Sequence, residues 1–249
     1  MRLRQAILIL LLSVLVPTSS AQFVNIPHNA RSSAMGGCFV AKTDVGSVSL
    51  GYRQGFALAG MADKRLSVIW PTGKIGVVGA MYLHHGNIDY HEQQAAVGYA
   101  MHPWPWALVG VGGKWLGIGT SDPHYEPQQW LAVTAFFRAS IRHTQVAVVV
   151  GSRPWDVTRP YSLHLQAQYL TDGNLLTVME FEQEDCARVH MGMEYTYEKM
   201  VMFRAGIATA PLVATFGLGF RHKMFSVDLG AEVHQVLGIT PHTTLTLWL

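Results

Sequence analysis

A chain of 249 residues that is 49% hydrophobic and only 14% charged lacks the ionic surface of an ordinary soluble domain, which runs near about 25% charged. Taking Arg2 and Arg4 out of the 18 basic side chains leaves 16 against 16 acidic ones, so the chain beyond its first residues is formally neutral. No positive field remains to collect phosphates, which excludes a nucleic-acid partner.

In chain order, Arg2 and Arg4 precede a largely apolar run from Ala6 to Val16, followed by Pro17 and the small residues Ser19, Ser20 and Ala21. That is the pattern of a secretory signal peptide over 1–21, with cleavage expected after Ala21. The apolar run falls well short of the roughly 20 residues a spanning helix needs. Cysteine first occurs at Cys38, so a lipoprotein anchor has no attachment point near the leader. Cys38 and Cys186 are the two cysteines, and whether they pair is left open by the sequence.

Residues 22–50 contain ARSSAMGGCFVA, whose small side chains and Gly36-Gly37 pair suit a segment threaded through a lumen. A periplasmic tail is the alternative. From Tyr52 onward the pattern has period two, broken by turn-forming residues, with no helical periodicity. Strands are expected at 52–60, 63–71, 74–84, 88–101, 105–119, 128–141, 144–152, 160–170, 174–183, 187–198, 200–208, 212–221, 224–234 and 242–249. The alternation is cleanest in 161–169, 188–198 and 225–234, where one face is apolar and the other carries charge, His or Gly. A greasy chain without spanning helices crosses lipid by closing such strands into a barrel, and the domain reading is therefore leader 1–21, plug 22–50 and transmembrane barrel 51–249. A secreted β-sandwich is the soluble alternative.

The turns sort by length. If the chain enters from the periplasm, short connections fall on that side: 71–74, 102–105, Arg142-His143, 171–174, Glu198-Lys199 and His222-Lys223. The opposite side takes the longer 120–128, 152–160 and 235–241. This asymmetry belongs to outer-membrane barrels, as do the aromatics near strand ends: Trp70, Tyr90, Trp104, Trp106, Tyr169, Tyr195, Tyr197 and Trp248. The alternating TLTLWL terminus is similar to the signal read by the barrel assembly machinery, the expected partner together with outer-membrane lipid.

The segment ARSSAMGGCFVAKTDVGSV resembles the N-terminal signature of the PorV/PorQ group of outer-membrane proteins, relatives of the FadL long-chain fatty-acid transporters. Arg31, Met35, Gly36, Gly37 and Asp44 carry the resemblance. It implies an all-β, 14-stranded barrel whose N-terminal segment plugs the lumen, and a role as an accessory component of protein secretion or surface attachment, with other outer-membrane or secretion proteins as partners. The alternative it implies is FadL-like passage of small hydrophobic molecules. Two departures separate this chain from the group: GYRQGF stands at 51–56 where relatives carry an Asn-Pro-Ala-Gly-type motif, and the external loops are short.

Three constellations could carry chemistry. HHGNIDYHE at 84–92, folded on a two-residue Gly86-Asn87 turn, would pair His84 with Asp89 and Tyr82 with His91, grouping candidate zinc or copper ligands on one face of a polar hairpin tip. Glu92, Arg188, Glu194, Arg204, Arg221, Asp228 and Glu232 fall on polar strand faces and are expected to form a charged lumen network that holds the plug. The glycines at 110, 112, 113, 117 and 119 sit in an alternating segment, which fits strand curvature better than a phosphate loop. No nucleophile or acid–base pair stands at a catalytic spacing, so neither enzyme activity nor a cofactor is expected.

Overall fold

The computed structural model describes residues 29–39, 45–58, 60–73, 76–124, 126–171 and 173–249. The leader and Asp44 lie outside these residues. Fourteen strands form one sheet: β1 Ser47–Gln54, β2 Ala62–Pro71, β3 Val77–Gly86, β4 Tyr90–Trp104, β5 Ala107–Thr120, β6 Gln128–Ile141, β7 Thr144–Ser152, β8 Tyr161–Thr171, β9 Leu175–Gln183, β10 Ala187–Tyr197, β11 Val201–Ala208, β12 Val213–His222, β13 Phe225–His234 and β14 Gly238–Trp248. Each pairs antiparallel with its sequence neighbours, and β1 pairs with β14 from Ser47↔Trp248 to Arg53↔His242, so the sheet closes into a barrel without an edge. A single closed sheet rules out the sandwich.

Side-chain alternation explains the closure. On β13, Phe225, Val227 and Leu229 point out while Ser226 and Asp228 are buried inside. The same parity runs through β10, with Met191, Met193 and Tyr195 outside and His190 and Glu194 inside. Around the barrel, Leu50, Leu66, Val97, Val133, Phe203 and Phe216 continue this apolar outer surface. At roughly 25 cal/mol per Å² such a belt is untenable in water and stable in lipid. No described helix is long and apolar enough to cross a membrane.

β6 and β7 occupy the stretches expected from the alternation, and most other boundaries shift by one to three residues. The first and last strands differ more. β1 begins at Ser47, and Gly55–Ala57, expected inside a strand, forms a 3-10 turn with Phe56 and Ala57 at positive φ. β14 begins at Gly238, so 235–241 is a tight turn followed by strand. Pro241 marks that expectation's flaw: it pairs with Ala231 of β13 but lies beyond the last β1 partner, where its missing N–H breaks no ladder.

The aromatic expectation holds for Trp70, Trp104, Trp106, Tyr169, Tyr195 and Tyr197, all exposed, with Trp104 stacked on Trp106 at 5.5 Å. Tyr90 and Trp248 depart from it: the Tyr90 hydroxyl donates to Glu92 Oε1 at 2.7 Å, and Trp248 Nε1 donates to Ser226 Oγ at 3.1 Å on the lumen side.

Candidate functional site: a divided lumen

Inside the barrel, residues 29–39 lie against the β8–β14 wall. The helix α1, Ala30–Ala34, is a little over one turn long and starts at Asn29, whose Oδ1 accepts from Ser32 N at 2.7 Å. The barrel supplies partners for what so short a helix leaves open. Ala30 N donates to Thr244 Oγ1 at 2.9 Å and Gly36 N to Thr215 Oγ1 at 2.9 Å, while Thr215 Oγ1 donates to Ala34 O at 3.0 Å. At the far end, Phe39 N donates to Glu180 Oε2 at 2.9 Å and Gln166 Nε2 to Phe39 O at 2.6 Å. Met35 and Cys38 are fully buried against Val178 and Leu176.

Close approach requires that wall to be nearly flat. A Cβ on Gly206 would stand 2.3 Å from Gly36 N, and one on Gly192 2.5 Å from Met35 O. Gly217 and Gly230 likewise face Ala34 and Ala30. These four inward glycines form a shelf on which α1 and the following turn rest. Gly36 and Gly37 take φ of +75° and +92°, and Gly36 faces the Ile207 and Met191 carbonyl oxygens, so both the turn and the space call for glycine.

Charge fixes the segment sideways. Arg31 grips Glu194 with two bonds, Nε to Oε2 at 2.7 Å and Nη2 to Oε1 at 2.6 Å. Glu194 Oε2 also accepts from Arg204 Nε at 2.6 Å, and Arg204 Nη1 lies 2.7 Å from Asp228 Oδ1, an ion contact without hydrogen-bond alignment. Ser33 Oγ donates to Glu232 Oε1 at 2.7 Å, and Glu232 leads through Arg53 to Asp63 and His85. Removing one partner from so buried a group strands the other charge at a cost of about 3–5 kcal/mol.

Of the expected network, the structure thus brings Glu194, Arg204, Asp228 and Glu232 together with signature residue Arg31. Arg188 stands one step away: its Nε donates to Ala210 O at 3.1 Å and its Nη1 is 3.5 Å from Glu182. Glu92, on β4, is placed away from the segment beside Tyr90, and Arg221 stacks on the Trp248 ring at 4.4 Å. Sequence reasoning overlooked Glu180, Glu182 and His190, although Glu180 and Glu182 alternate on β9. His190 Nδ1 donates to Gly36 O at 2.6 Å and its Nε2 meets Glu182 Oε2 at 2.9 Å.

The hairpin at 84–92 has a different register from the one expected. Its turn spans Asn87–Asp89, with Asn87 Oδ1 accepting from Asp89 N and Tyr90 N, so Gly86 faces His91 and His84 faces Gln93. Asn87 capping its own turn lengthens the connection by a residue and moves Asp89 off the ladder. His84 and His91 stack with centroids 5.6 Å apart, and no group of three metal-ligating side chains converges among the described residues. The five glycines at 110–119 lie within β5. Cys38 and Cys186 are both free thiols.

Beside the segment remains a cavity of about 750 Å³. Its wall on β2–β7 is lined by small and apolar side chains, among them Ile69, Gly79, Met81, Ala96, Phe136 and Val149. Above it, Trp155 of the 153–160 loop packs with Trp130 and Ile118 on Leu116 and Ala132. Arg153 ties that loop down through Asp185 Oδ1 at 2.5 Å and Asp156 Oδ2 at 3.5 Å.

Closed, fourteen-stranded, apolar outside and charged within, the chain is a transmembrane β-barrel of the outer-membrane type. Its fold is that of outer-membrane channels. A monoaromatic hydrocarbon channel, CymD, superposes with a TM-score of 0.68 at 10% identity, covering 91% of this chain and 99% of that one. The Ralstonia pickettii toluene transporter TbuX gives 0.63 at 11% identity over 91% of this chain and 98% of its own. The Acinetobacter baumannii outer membrane protein Omp33 gives 0.58 at 10% identity over 82% and 98%. No protein-family profile matches the chain, and no curated protein does.

Proposed function

We propose that this protein resides in the bacterial outer membrane, exported on its 1–21 leader, and passes small apolar molecules through its lumen. The observation that carries the reading is the cavity of about 750 Å³ left beside the docked segment, walled on β2–β7 by small and apolar side chains. A concave, mostly apolar cavity with a few polar groups is the usual form of a small-molecule site. The likeness in fold to hydrocarbon and toluene channels supports this role over the accessory role implied by the PorV/PorQ resemblance.

The test uses N-phenyl-1-naphthylamine, an apolar dye that the lipopolysaccharide leaflet excludes and that fluoresces in phospholipid. Cells carrying the full-length protein should take it up faster than cells without it, and a Gly98→Trp variant that fills the cavity should return uptake to background. Equal uptake with and without the protein sinks the transport reading. Stable co-purification with secretion components, without dye uptake, would establish the accessory role instead.

A further inference from the structure

The two walls of the cavity differ in charge as well as polarity. On the β8–β10 side every acid is engaged: Glu180 by Phe39 N, Gln166 and His164, Glu182 by His190 and Arg188, and Glu184 by His164 Nε2 at 3.3 Å. The β2–β7 side contributes three basic side chains to the cavity, Arg65, Lys114 and Arg138, while its acids Asp63 and Glu92 lie off the cavity lining, Asp63 against Arg53 and His85 and Glu92 beside Tyr90. Lys114 is the notable one. It points inward from β5 between ladder neighbours Ala96 and Ala132, neither of which offers a side-chain acceptor; Glu184 of the facing wall acts on it electrostatically but makes its own ion contact with His164, so Lys114 has no direct hydrogen-bond or ion-pair partner among the described residues. Ile69, Met81, Phe136 and Val149 line the same space.

An ammonium group held over apolar surface in a narrow lumen is poorly solvated and projects a focused positive field. A neutral hydrocarbon makes no use of such a group. We propose that this half of the lumen is an anion-recognition site in which Lys114 holds the charged head of a small amphipathic anion, a carboxylate or sulfonate on an aromatic or short aliphatic body. The body lies on Met81, Phe136 and Val149. This rests on the transport reading and narrows its substrate class.

A matched pair of dyes tests it: N-phenyl-1-naphthylamine and 8-anilino-1-naphthalenesulfonate share one aromatic body and differ in a sulfonate. The readout is the ratio of anionic to neutral uptake, in cells carrying full-length barrels whose folding is checked by heat-modifiable gel mobility. Lys114→Met is expected to lower the ratio about tenfold, the scale of one charged hydrogen bond, whereas Lys114→Arg keeps it. Uptake of the neutral dye alone by the wild type, or a ratio unchanged in Lys114→Met, overturns the anion site and leaves transport standing. Uptake of neither dye overturns both.

Discussion

The two halves of the lumen use the same inward positions of the same strand pattern for opposite ends. Along β9–β14, inward positions carry charged side chains, threonines and glycines, and the result is a surface that grips another piece of the chain through its backbone and its Arg31 and Ser33 side chains. Along β2–β7, they are mostly small or apolar, and the result is space. The difference teaches that a barrel of this size needs no insertion to make a site: one wall is filled by the chain's own beginning, and the cavity is what the segment does not reach.

Breaking the first half should give the largest effect. Glu194→Ala strands Arg31 and Arg204 together, and loosening of the segment by about 3–5 kcal/mol is expected. Arg31 is itself a trypsin site, so limited proteolysis of the folded barrel should cut the variant there and spare the wild type; equal protection would show that the ion cluster is dispensable. Next comes the shelf. Gly206→Ala should weaken docking by about 1–3 kcal/mol, because its Cβ would sit 2.3 Å from Gly36 N. Gly113→Ala, with nothing within 4 Å, should stay within about 0.5 kcal/mol, and the same protease assay compares them.

On the open wall the comparison predicts tolerance. Phe136→Ala enlarges the cavity and should raise dye uptake while leaving the protease pattern unchanged; exposure of Arg31 by this change would mean the two halves are mechanically coupled. The smallest effect belongs to the 153–160 loop. Asp156 is held below the usual carboxylate range, chiefly by the Thr158 hydroxyl at 2.7 Å, with Thr158 N and Arg159 N adding to it. A carboxylate with a depressed folded value contributes fully above the unfolded value and loses that contribution as pH falls through the folded one. Protection of 153–160 against hydrogen exchange, taken relative to the intrinsic exchange rate at each pH, should therefore fall as pH drops below about 4, and Asp156→Asn should abolish that dependence at a cost below about 1 kcal/mol.

Much of the barrel was legible in the sequence because a membrane strand announces itself twice, by alternation and by the turn that ends it. β6 and β7 show both signals, and Glu198-Lys199, both at positive φ, is a tight turn whose place the alternation fixed. Where one signal fails the reading slips: Pro241 suggested an end that the lattice of β14 does not have, and Gly55-Phe56 continued a hydrophobic pattern through a turn. The site was harder. Arg31, Glu194, Arg204, Asp228 and Glu232 stood out as charges in apolar company, but which of them meet depends on register around the closed sheet. That register also carried Glu92 and Arg221 away from the group. The glycines 192, 206, 217 and 230 left a trace, since each takes a lumen-facing place where charge or His would be expected. Their meaning needed the segment that rests on them.

The closing pair Ser47↔Trp248 sets an order of assembly. The residues that lie inside the lumen come before β1, yet their partners, from Gln166 on β8 to Thr244 on β14, belong to the later half of the chain. The interior piece therefore has no seat until strands from β8 onward exist, and β1 has no second neighbour until β14 arrives. Sealing the wall comes last, so a nascent barrel lacking its final strand is open at the side and holds its segment without the Thr244 contact.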